Sequence, residues 1–62
     1  MDFWRIWNDK LPEDKAKYYN RTRMSMEMFS MHIGLAPQVI LKDFAQHGYR
    51  YFPNAHKVIK GP

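Results

Sequence analysis

The stretch "MHIGLAPQVILKDFAQHG", residues 31–48, decides the fold. Gly34 follows an apolar residue, Ile33, and can adopt the left-handed conformation that closes a helix. Pro37 suits the first turn of the next helix, because its missing N–H is unpaired there anyway. Val39, Ile40, Leu41 and Phe44 then supply apolar area, and Gly48 supplies a second stop. Two helices joined by a tight corner are therefore expected. They form either a helix-turn-helix that grips DNA or an α-hairpin that only buries two apolar stripes.

Upstream, Pro12 followed by Glu13 and Asp14 is a helix start, since carboxylates favour the positive end of the helix dipole. Tyr19, Arg23, Met26, Ser30 and Ile33 keep helical spacing with no proline or glycine between them. Residues 12–33 thus form one long helix, or two if Ser25 caps a new one. Met24, Met28 and Met31 line a stripe that reads as adaptable core. Before Pro12, Asp2 can cap a short aromatic helix in which Phe3, Ile6 and Trp7 share a face.

Downstream, "YRYFPNAHKVIKG" has β-branched and aromatic residues on both sides of Pro53 and Asn54, a hairpin pattern. Tyr49 and Tyr51 serve either as core or as platforms for stacked bases. The expected fold is mainly α with a small C-terminal β-hairpin, in one small domain. It comprises an N-terminal aromatic helix (1–10), a helical hairpin or helix-turn-helix (12–48) and a β-hairpin (49–61).

Composition narrows the function. A 62-residue chain with 45% hydrophobic and 16% aromatic residues has too much apolar area for a disordered tail, but supports only a small core. With no cysteine, packing alone must hold it, which fits a reducing compartment such as the cytoplasm. No apolar run approaches the roughly 20 residues needed to span a bilayer, and "MDFWRIWND" carries acids where a secretory signal would be basic. A soluble, unprocessed protein is expected.

Net charge is +4, and from Gln46 onward Arg50, Lys57 and Lys60 stand with His47 and His56 and no acid at all. That basic end suits a polyanion such as nucleic acid or an anionic membrane surface, or else is a solvated face that happens to be basic. An enzyme is not expected: His32, His47 and His56 show no metal-ligand spacing, and no nucleophile stands beside a base. No cofactor or metal is expected either.

The residues from Met24 to Gly61 resemble the small winged helix-turn-helix modules of phage excisionases and the N-terminal domains of MerR-type regulators. Phe29, Ser30, Ile33, Gly34, Leu35, Pro37, Ile40, Phe44 and Gly48 carry the likeness. Ala36, where such modules place a capping Ser or Thr, and Asp43, where they place a cation, depart from it. The resemblance implies a small DNA-binding protein, an excisionase-like factor or transcriptional regulator, whose partner is double-stranded DNA. Gln38 and Lys42 would face base edges, and Arg50, His56, Lys57 and Lys60 would touch the sugar-phosphate chain.

The alternative is a non-enzymatic accessory subunit, or a phage-type inhibitor of a host protein. "PQVILKDF" and "GYRYFPNAHKVIKG" are faintly similar to the pre-membrane part of the f subunit of mitochondrial ATP synthase. The partner of such a subunit, or a recombinase, would meet the chain through Trp4, Trp7, Tyr18 and Tyr19, which exceed what so small a core easily covers, whereas an inhibitor would bind its host protein through the basic surface.

Overall fold

Pro12 and Pro37 each stand at the first position of a helix, where fixed φ and the missing donor cost nothing. The computed structural model describes residues 3–61. Its elements run α1 (Phe3–Asp9), α2 (Pro12–Thr22), α3 (Met26–Ile33), α4 (Pro37–Gln46), β1 (Tyr49–Phe52) and β2 (Lys57–Lys60). The protein is thus mainly helical with a C-terminal antiparallel hairpin. The proposed Asp2 cap lies outside the described residues.

Residues 12–33 form two helices. Arg23 takes a left-handed backbone (φ 57°), which ends α2. Thr22 Oγ1 donates to the Tyr19 carbonyl at 2.7 Å, and Tyr19 Oη donates to the Met24 carbonyl at 2.9 Å. Ser25 then caps α3 by accepting the Met28 N–H at 3.2 Å. At the next corner Gly34 sits at φ 90° and its N–H donates to the Ser30 carbonyl. Gly48, at φ 82°, turns the chain from α4 into β1.

The break at residues 23–25 resets the helical phase and overturns the methionine stripe. The inward face of α3 is Met26, Phe29, Ser30 and Ile33, at i, i+3, i+4 and i+7. Met28 and Met31 therefore point outward, 59% and 79% exposed, while Met24 is partly buried. In α4 only Ile40 and Phe44 are buried. Leu41 packs half-buried against the core and Val39 is exposed, because Phe44 and Leu41 lie to one side of Ile40 around the helix and Val39 lies about 100° to the other.

Trp7 is the anchor of α1. Its ring meets Phe29 at 5.0 Å, Phe44 at 5.8 Å and Tyr18 at 6.0 Å, all edge-on. Phe3 and Ile6, expected to share its buried face, stay exposed at 43% and 46%. Trp7 is the buried residue of this seven-residue helix, and Phe3 and Ile6 stay at the rim, where the Phe3 ring lies 4.9 Å from that of His32.

The core is Trp7, Ala16, Tyr19, Met26, Phe29, Ile33, Ile40, Phe44 and Val58. Two polar ties cross it. Lys15, 8% exposed on α2, donates to Asp43 of α4 at 2.5 Å, with its ammonium 5.7 Å from the Trp7 ring. On the same helix, Asn20 clamps the hairpin: its Nδ2 donates to the Val58 carbonyl at 3.0 Å, and its Oδ1 accepts the Val58 N–H at 2.8 Å. The side chain thus does for β2 what a third strand would do.

Candidate nucleic-acid interface

The face of α4 opposite the core carries the first pair of predicted contact residues. Ile40 and Phe44 point inward, and Gln38 and Lys42 stand roughly 160–200° round the helix from Ile40. Both are exposed. They are four residues apart, so they rise one above the other on a single outward ridge. Ala45, also exposed, continues that face without bulk.

The one acid of α4 is kept off this ridge. Asp43 Oδ2 is held by Lys15, and its Oδ1 lies 3.4 Å from His47 Nδ1. His47 Nδ1 is also 2.8 Å from the Asp43 carbonyl oxygen. Asp43, the departure from the expected basic position, is thus an internal tie between α2 and α4. Lys42 is left without a carboxylate partner among the described residues.

The hairpin pairs Tyr49 with Lys60, Arg50 with Ile59, Tyr51 with Val58 and Phe52 with Lys57. Alternation sends Tyr49, Tyr51 and Val58 to the core, where the Phe44 and Tyr49 rings are 5.8 Å apart and those of Tyr19 and Tyr51 6.3 Å apart. The tyrosines therefore serve as packing and not as stacking platforms. Arg50, Phe52, Lys57 and Ile59 share the outer face, all exposed.

The six predicted residues do not make one patch. Gln38 and Lys42 share the α4 ridge, and Arg50 and Lys57 share the outer hairpin face. His56, left-handed at φ 52°, lies in the turn and borders a cleft with Pro37 and Leu41, beside α4. Lys60 is separated from them. Its register with Tyr49 puts it on the core side of the ribbon, at the open end, beside Leu11, Glu13 and His47.

Phe52 and Ile59 were not among the expected contacts. The signal that finds them is the alternation in "YRYF" and "KVIK" once the register is known. The expected protein contacts need correction. Trp7 and Tyr19 are buried at 2% and 0%, and Tyr18 is packed against the core, so only Trp4 is open to a partner. The cluster Trp7, Tyr18, Tyr19 and Phe29 covers itself, since edge-on rings bury one another. The exposed large apolar side chains outside the hairpin are, among the described residues, Phe3, Trp4 and Ile6 of α1, Leu11 ahead of α2, Met28 and Met31 of α3, and Val39 of α4.

Among the described residues, no three His, Asp or Glu side chains converge as metal ligands, and no helix is long and apolar enough to cross a membrane. Comparison with known protein families, with curated proteins and with solved structures gave no match to this chain.

Proposed function

We propose that this chain is a small DNA-binding protein, excisionase-like or regulatory, that lays α4 in the major groove and sets its basic hairpin against the backbone. The observation that carries the reading is the outward ridge of Gln38 and Lys42, directly opposite the Ile40 and Phe44 contacts that fix α4 to the core. A helix fits the major groove, an amide can bond adenine bidentately, and an ammonium can reach guanine or phosphate. Arg50, Lys57 and His56 add sequence-independent contacts that hold the register. Lys60, on the other side of the ribbon, contributes to the overall positive field. The protein acts by binding and carries out no chemistry of its own.

Titration of labelled duplex DNA at several salt concentrations tests this. Affinity should fall linearly in log salt. Lys42→Ala should reduce the slope by about one, and Arg50→Ala with Lys57→Ala by about two. Gln38→Ala should leave the slope intact and narrow the gap between preferred and random sequence. Absence of binding at low salt overturns the proposal.

A second reading, an accessory or inhibitory protein that binds another protein, is supported by one observation: the exposed Phe3, Trp4 and Ile6 of α1 and Met28 and Met31 of α3. In that case Met31→Glu would abolish association with the partner and leave DNA titrations unchanged.

A further inference from the structure

We propose that the outer face of the hairpin is a wedge for duplex DNA: Phe52 enters between two adjacent base pairs, while Arg50 and Lys57 hold the phosphates beside the opened step. The inference rests on the DNA-binding reading and deepens it, assigning to the hairpin a deformation that α4 does not supply.

Four side chains make the face. Phe52 stands opposite Lys57, and Arg50 opposite Ile59, so cations occupy one diagonal and apolar groups the other. Phe52 is 42% and Ile59 50% exposed. Neither is needed by the core, which takes Tyr49, Tyr51 and Val58 from the opposite side of the same ribbon. The outer face of a hairpin packed on one side is ordinarily polar. Here an aromatic ring is presented to solvent at the end of a strand, among cations, in a segment with no acid from Gln46 onward.

The backbone that carries the ring is also held in place. Phe52 is the last residue of β1, and its carbonyl accepts the Ala55 N–H at 3.1 Å, while the Pro53 carbonyl accepts the His56 N–H at 3.3 Å. An isolated two-stranded ribbon is marginal in water. This one is fixed by the Asn20 clamp and by the packing of Tyr49 and Tyr51, so a force at the tip reaches the core. A side chain on such a support can open a base step without the support yielding.

The occupant follows from charge and from number. The cations on the face call for a polyanion. One aromatic side chain is too few for a strand-tracking platform, which stacks successive bases on successive rings. Two apolar side chains on a diagonal offer too little area to enter a bilayer. Apolar insertion at a single step, flanked by basic residues, is the mode by which ribbon and minor-groove proteins kink a duplex.

The test uses the full chain and a duplex carrying 2-aminopurine at one position, moved step by step through the bound region. The wild type should brighten the probe at one step only, because unstacking relieves quenching. It should also bind about tenfold more tightly to a duplex with a mismatch at that step, where the stack is already weakened. Phe52→Ala should lose the brightening and the mismatch preference, and bind about tenfold more weakly at every salt concentration with the slope unchanged. Phe52→Leu, which keeps an apolar wedge, should retain part of both signals, and circular dichroism of each variant checks that it is folded.

Binding without brightening at any step, or brightening retained by Phe52→Ala, overturns the wedge and leaves the groove reading standing. Failure to bind any duplex at low salt overturns both. Loss by Phe52→Ala of binding to vesicles of anionic lipid, with no effect on DNA, overturns the wedge in favour of a membrane surface.

Discussion

Replacing Asn20 by alanine isolates the tie between the helices and the hairpin. The Asn20 amide satisfies both backbone groups of Val58, at 2.8 and 3.0 Å, and Val58 is 1% exposed. Those groups point away from β1, so β1 cannot take over. A buried backbone group left without a partner costs roughly 1–3 kcal/mol, and partial access of water at this half-buried bond sets the sum for the two near 2–4 kcal/mol. A chain of this length is stabilised by about 3–9 kcal/mol in all. The loss is therefore a large share, and at about 4–8 °C per kcal/mol it lowers Tm by roughly 10–25 °C. Thermal and urea unfolding followed by circular dichroism measure it, and hydrogen exchange at the Val58 amide locates it. Asn20→Asp keeps the acceptor and loses the donor, so it should restore protection at the Val58 N–H without restoring stability. A stability change under about 0.5 kcal/mol in Asn20→Ala, with the Val58 amide as slow to exchange as before, would refute the clamp.

Three other outcomes follow from named contacts. Gly34→Ala should cost about 1 kcal/mol, from the φ of 90° alone, because an added Cβ meets nothing within 4 Å; Gly34→Asn should cost less, and equal unfolding midpoints for the two would count against a purely backbone cause. Asp43→Asn leaves the Lys15 ammonium in its near-buried site without a counter-charge and should cost about 2 kcal/mol, less than a fully buried pair because Asp43 is partly exposed; Lys15→Met together with Asp43→Leu should recover most of that loss in urea titrations. Burial, with the neighbouring Tyr51, pushes the Tyr19 phenol well above its ordinary value of 10.0, so the folded chain keeps a proton that the unfolded chain releases above about pH 10. Stability should be level below that pH and fall by about 1.4 kcal/mol per unit above it, and urea midpoints for Tyr19→Phe should lack this extra fall.

The elements were legible in the chain because their boundaries rest on local chemistry. Pro12 and Pro37 begin helices, Ser25 caps one, Gly34 and Gly48 turn left-handed, and Pro53 with Asn54 opens a turn, each through a restriction on its own φ or its own hydrogen bonds. Whether residues 12–33 broke at all was less legible. Arg23 enters the left-handed region without glycine's freedom, supported by the Thr22 and Tyr19 hydrogen bonds across the corner.

The candidate site was legible in part. Gln38 and Lys42 follow from helical spacing once Ile40 and Phe44 are taken as core, and Arg50 and Lys57 follow from strand alternation. Lys60 belongs to the same basic run in the sequence, although register puts it on the other side of the ribbon. Phe52 is not distinguishable from the neighbouring tyrosines in the sequence, since aromatic content alone does not tell which rings face inward. For the same reason Trp7, Tyr18 and Tyr19 read in sequence as surplus aromatic surface, although they pack in or against the core.

What the amino-acid order determined by itself is therefore the set of turns, caps and helices, together with a basic end free of acid. Only the tertiary structure decided which side of each element is buried, and hence which residues are free to bind. Asn20 meets Val58 across 38 positions, and Lys15 meets Asp43 across 28. Burial is a sum over such distant contacts, whereas a proline or a left-handed glycine restricts the chain where it stands.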